Sequence, residues 1–177
     1  VRAIMGTNID PHLFTPTTSE IRALGNADVV FYNGLFLEGR MVDAFKKIEK
    51  SGKRIFAVAA GLDESSVRSP SEFKGHPDPH IWMDVQLWSS CLQEVVRKMA
   101  KVDPDGADEF SKNADAYAEQ LDLLDEYARK SIASIPPELR VMVTAHDAFG
   151  YYSRAYGIEV KSAQGITTES EPGVNDI

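Results

Sequence analysis

A single cysteine, Cys91, stands among the 177 residues, so no disulfide can close within the chain. Its position in a helical apolar pattern makes it a buried small hydrophobe rather than a thiolate metal ligand. Positive charge is also scarce: 19 Lys and Arg face 27 Asp and Glu, for a net charge of −8 and a pI near 5.0. No cluster of Lys or Arg forms a stripe that would follow a phosphate backbone, which excludes nucleic acid as a partner class. Long apolar runs are missing too. Nothing approaches the roughly 18 consecutive apolar residues a membrane-spanning helix needs, and no charged-then-apolar export signal heads the chain. What remains, 43% hydrophobic and 26% charged, is a globular composition sufficient for one large domain or two small ones. Val1 to Met5 reads as the interior of a strand and Glu171 to Ile177 as a helix just beginning, so both ends read as cut.

Strand and helix patterns alternate along the chain. After the Val1–Met5 strand, a turn-rich stretch from Gly6 to Pro11 delivers His12. Thr17-Thr18-Ser19-Glu20 has the form of a capping box and opens a short helix with Ile21, Leu24 and Ala27 inward, ending around Gly25 to Asp28. Val29 to Tyr32 is an apolar run of buried-strand type closed by Asn33-Gly34. Met41, Phe45 and Ile48 then mark a helix face reaching Gly52, and Arg54 to Ala59 is a third strand. Such alternation predicts an α/β fold with parallel sheet covered by helices, whose strand carboxyl ends border a binding crevice. Ser65 to Pro79, rich in Ser, Pro and Gly, reads as a surface loop. A helix follows through Leu87, Cys91, Val95 and Met99, with Trp82 and Trp88 as core or pocket wall.

The longest periodic signal is Ala107, Phe110, Ala114, Tyr117, Leu121, Leu124, Ala128, Ser131 and Ile135, spaced by three and four up to Pro136-Pro137. It predicts one helix of about 30 residues, about 45 Å long, able to join two lobes. A coiled-coil seam is the competing reading, opposed by small and aromatic residues at core positions and by the lack of consistent flanking charge pairs. Beyond it, Val141 to Thr144 is a strand with His146 directly past its end; Phe149, Tyr152 and Tyr156 line a helix stopped by Gly157, and Ile158 to Val160 begins another strand.

Three of the four histidines sit in matching contexts: Asp10-Pro11-His12, Asp78-Pro79-His80 and Thr144-Ala145-His146-Asp147. Imidazole is a common ligand of borderline divalent metals, and three neutral rings converging on one point have few other chemical uses. Any one of them alone would more simply be a hydrogen-bonded or exposed ring. His76 lies four residues before His80, but Pro77 and Pro79 forbid the helix that would make the two a ligand pair. Since His12 and His80 belong to the first α/β unit and His146 to the second, a shared metal sits between two lobes. Its affinity should fall steeply below an imidazole pKa of about 6.5. Asp147 is a candidate to hydrogen-bond a ligating ring's free nitrogen, and equally a plain helix N-terminal acid. Tyr32, Asn33, Trp82 and Phe149 are packing residues or walls of the site, and Glu169 and Glu171 suit the first turn of a further helix.

The residues quoted, together with Asp10-Pro11-His12-Leu13-Phe14, Leu24 to Asp28, Tyr32-Asn33-Gly34, Asp78 to Asp84, the whole block Val143 to Gly157, and Thr167 to Glu171, resemble a known family. The chain is similar to the metal-specific solute-binding proteins of bacterial ABC importers, the TroA-like zinc and manganese receptors, and the likeness covers essentially all of it. The resemblance implies two α/β lobes, each on a parallel sheet flanked by helices, joined by one long rigid helix, with one metal between them. It implies an N-terminal lobe over 1–103 whose first strand is missing, a linking helix over 104–135 and an incomplete second lobe over 136–177. His12, His80 and His146 would be ligands, and the fourth, a carboxylate, would lie beyond Ile177. The implied protein is a monomer, periplasmic or lipid-anchored at the outer face of the cytoplasmic membrane, that delivers Mn²⁺ or Zn²⁺ to an ABC permease and catalyses nothing. Zinc-dedicated members carry a long His- and acid-rich loop before the second ligand; Gly61 to Pro79 holds only His76, which favours manganese or mixed use.

Two other function classes compete. A three-histidine zinc site with an open position is also a hydrolase arrangement, with Asp147 or Asp10 as base. It needs substrate access, and the chain has no nucleophile elbow, HExxH or phosphate-cradling loop. A surface adhesin without metal leaves the matched histidines unexplained.

Overall fold

The computed structural model describes residues 1–73 and 75–169. The helix anticipated over Glu171 to Ile177 lies outside the described residues. The first α/β unit runs α1 (Thr18–Asn26), β1 (Val30–Tyr32), α2 (Val42–Lys50), β2 (Ile55–Ala57) and α3 (Val85–Val102). The long α4 (Ala107–Ala133) follows, then β3 (Val141–His146), α5 (Gly150–Tyr156) and β4 (Glu159–Gln164). Two parallel ladders result, β1 with β2 and β3 with β4, each connected through a helix as parallel neighbours require.

Local chemistry explains most boundaries. Thr17 caps α1 in a complete capping box with Glu20, which closes the first turn as the tetrapeptide predicts. Asp84 caps α3 by accepting the Leu87 N–H. Gly157 ends α5 in the left-handed region at φ 70°, where a residue with a Cβ is strained. Leu24, Val30, Met41, Phe45, Ile48 and Ile55 form the core of the first unit. A second core gathers Val58, Ala59, Ile81, Leu87 and Cys91 around Tyr151, which comes from α5. Burial pushes the Cys91 thiol up to about 11, in keeping with a packing role.

Several expectations are corrected. Val1 to Met5 forms no strand; among the described residues no ladder partner lies beside it, and Val1 to Ala3 are exposed while Ile4 and Met5 pack on the first core. An extended segment becomes a strand only when its N–H and C=O groups are paired. The third strand ends at Ala57, because Val58–Gly61 turns into a short 3₁₀ helix. The end of the Ser65–Pro79 segment is not surface: Asp78 is wholly buried and Pro79 nearly so. The long helix has 27 residues, about 40 Å, rather than 30. Leu121 and Ala128 face inward as read, joined by Ala118, Asp125 and Ile132, whereas Tyr117 and Leu124 are exposed. His146 is the last residue of β3, paired with Gln164, not a residue beyond the strand.

Candidate metal centre

The site is assembled by two turns and a strand end. In Asp10-Pro11-His12 the Asp10 Oδ1 accepts the His12 N–H at 2.9 Å. In Asp78-Pro79-His80 the Asp78 Oδ1 accepts the His80 N–H at 3.0 Å. Both are Asx turns: the carboxylate of the first residue fixes the backbone two residues on, and proline presets the bend between. Asn33, at the carboxyl end of β1, donates from Nδ2 to the Pro79 carbonyl at 3.0 Å and so ties the second turn to the sheet. The buried Glu38 carboxylate accepts the N–H groups of Asn33 and Gly34 at 2.7 and 3.3 Å, holding the turn in which Leu35 and Phe36 take positive φ. His146 is delivered by β3.

The three rings meet. Their ligand nitrogens all lie within 4.8 Å of one another, and His12 Nε2 is 3.2 Å from His80 Nε2. Two nitrogens bound at about 2.0–2.1 Å in a tetrahedral shell stand roughly 3.3 Å apart, so this separation suits a shared ion. His12 and His80 are 5% and 2% exposed, while His146 is half-buried. His80 Nδ1 donates to Asp78 Oδ1 at 2.8 Å, which keeps the proton on Nδ1 and turns the Nε2 lone pair toward the other two rings. Burial, reinforced by the neighbouring His80 ring, pushes His12 down to about 4, and the same two causes lower His146. His12 and His146 are thereby kept neutral at pH 7, the form that binds metal. On Asp10, burial raises the carboxyl but hydrogen bonds from Thr168 and from the His12 backbone outweigh it, and the net shift is downward.

His76 stays outside the cluster, exposed and stacked on Phe36 with ring centres 4.5 Å apart. Asp147 follows His146 directly; its N–H donates to the Gln164 and Gly165 carbonyls, and its charge favours protonation of His146. Trp82 stands edge-on to His80 with ring centres 5.3 Å apart, as a wall residue would. Sequence reading passed over Asp78, Arg68, Thr168 and Tyr151. Asp78 had a signal, the repeated Asp-Pro-His. Thr168 donates to Asp10 Oδ2 at 2.5 Å across 158 residues, and nothing local announces such a contact.

Over residues 1–177 the chain matches the family described as ZnuA, zinc-uptake complex component A, periplasmic. The chain belongs to the ZnuA family. Among its relatives, the zinc-binding protein TroA of Treponema pallidum is 45% identical over 177 residues, covering 100% of this chain and 56% of TroA. The manganese-binding lipoprotein MntA of Bacillus subtilis is 42% identical over 177 residues, covering 100% of this chain and 57% of MntA. The solved structure of the Treponema pallidum zinc-binding protein superposes with a TM-score of 0.92 at 46% identity, over 97% of this chain and 61% of that one. The chain thus spans a little over half the length of these relatives. As a ZnuA-family fold, the two parallel ladders, their flanking helices and the long α4 agree with the α/β architecture anticipated above.

Proposed function

We propose that His12, His80 and His146 bind one divalent transition ion, Mn²⁺ or Zn²⁺, and that the chain is part of an extracytoplasmic receptor that hands this ion to an ABC permease. The observation that carries the reading is the convergence of three imidazoles from two turns and a distant strand end, two of them buried, with His80 oriented by a buried carboxylate. Relatives at above 40% identity are named for zinc and for manganese, which supports this pair of ions as cargo. The near-complete burial of His12 and His80 weighs against a hydrolase, which must admit water and substrate beside the metal. On this reading the protein catalyses nothing, works as a monomer, and acts in the periplasm or tethered by lipid outside the membrane. No helix among the described residues is long and apolar enough to cross a bilayer. The division into a lobe over 1–103, a connecting helix over 104–135 and the start of a second lobe over 136–177 belongs to the same proposal.

Calorimetry with Mn²⁺ and Zn²⁺ tests it. Replacing any of His12, His80 or His146 by Ala should abolish tight binding, whereas His76→Ala should leave it unchanged. Wild-type affinity in any of the three variants would remove that residue from the site.

A further inference from the structure

The buried carboxylate that orients His80 is itself held by Arg68, whose guanidinium packs against the helix α5 of the second α/β unit. Asp78 Oδ1 takes the His80 N–H and Nδ1–H, and its Oδ2 takes Arg68 Nη1 at 2.5 Å. The guanidinium of Arg68 lies 5.6 Å from the centre of the Tyr151 ring and occupies the space above Gly150: a Cβ built on that glycine would fall 1.2 Å from Arg68 Nη1 and 1.9 Å from Cζ. Gly150 opens α5, and its φ lies outside the left-handed region, so conformation does not demand glycine there. Space does. The backbone completes the arrangement, with the Arg68 N–H donating to the Tyr151 hydroxyl at 3.0 Å and that hydroxyl donating to the Asp78 carbonyl at 2.8 Å.

We infer that Arg68, seated in the notch left by Gly150, is a positioning residue for the metal centre: it clamps Asp78, and through it the His80 ring, to the helix that begins four residues after His146. A planar guanidinium can hold a carboxylate oxygen while filling the narrow space beside an aromatic ring and a bare Cα, a fit that the point charge of a lysine ammonium does not reproduce. The clamp fixes two ligand-bearing segments relative to each other before any ion arrives, and a ligand set held in place binds more tightly than one that must be assembled. This inference rests on the metal-binding reading above.

Two variants reach the same lesion by different routes. Arg68→Met removes the guanidinium and keeps an apolar stem; Gly150→Ala alters no polar group and instead expels the guanidinium, while favouring the helix by propensity. Each should weaken Zn²⁺ binding about 10- to 100-fold in calorimetry. The double variant should be no worse than either single one, because both act on one contact. Arg68→Lys should fail to restore affinity. In the metal-free protein, ¹⁵N–¹H spectra of the imidazoles should show the His80 Nδ1–H signal shifted or broadened in both single variants, with the remaining amide spectrum that of the folded wild type. Wild-type affinity in either single variant, additive losses in the double, or an unmoved His80 signal would overturn the inference. A wild-type protein that binds no metal would sink the receptor reading instead, and the imidazole spectra would still decide the clamp.

Discussion

At His12 the folded protein refuses a proton that the unfolded chain accepts. Burial and the His80 ring bring its pKa from 6.5 to about 4, and His146 moves in the same direction. The sign follows from proton counting. Above pH 6.5 both states are neutral and the contribution to stability is fully present; between 6.5 and about 4 the unfolded state binds the proton and the folded state does not, so stability falls as pH falls through that window. Melting temperatures of the metal-free protein should drop from pH 6.5 to 4, and His12→Asn should flatten part of that slope. An identical slope in the variant would show that His12 is not buried neutral. Proton competition with a bound ion should likewise set in below the free-imidazole value of about 6.5 that composition alone suggests. Local sequence accounts for much at this scale, since each Asp-Pro-His builds its own Asx turn from three adjacent residues.

Helices and strands show where periodicity is enough and where it is ambiguous. The capping box, the apolar face of α2 and the glycine stop of α5 were each legible, because every one depends on residues within a turn of each other. Gly157 offers a clean measure: nothing lies within 4 Å of a Cβ placed there, so Gly157→Ala meets only the cost of φ 70°. About 1 kcal/mol of lost stability is expected in denaturant unfolding, with metal affinity unchanged. A stabilised variant would mean that the helix ends differently. On α4 the three-and-four spacing holds at Phe110, Ala114, Leu121 and Ala128, which are partly or fully buried, and misses at Tyr117 and Leu124. Sequence hydrophobicity selects Tyr117 and Leu124; the fold instead turns Ala118 partly inward and buries Asp125, which finds Tyr156 and Arg129 there.

Across the whole molecule the two α/β units are stitched by α5 and by the segment after β4. Tyr151 enters the first unit's core, Arg154 reaches the Ser66 carbonyl and Asp84, and Glu169 lies 3.5 Å from Arg40. Tyr156 is the most exacting of these ties: its hydroxyl donates to the buried Asp125 at 2.9 Å and accepts the Val85 N–H, joining α5 to both α4 and α3. Burial, with the Asp125 hydrogen bond adding to it, pushes the phenol up to about 12. Tyr156→Phe leaves the Asp125 carboxylate short of a donor and should cost about 1–3 kcal/mol in urea unfolding. A loss within a few tenths would mean that Arg129 alone satisfies Asp125.

Element order, the parallel alternation, the helix caps and the three candidate histidines are written in neighbouring residues, since turn, cap and amphipathic patterns act over a few positions along the chain. The closeness of His12 and His80, the Arg68–Asp78 clamp under Gly150, the Thr168–Asp10 bond and the burial of Asp125 on α4 are of another kind. Those partners are separated by up to 158 residues. Their meeting depends on how sheets and helices pack in space, and a glycine that makes room for a distant guanidinium carries no mark of it in the residues beside it.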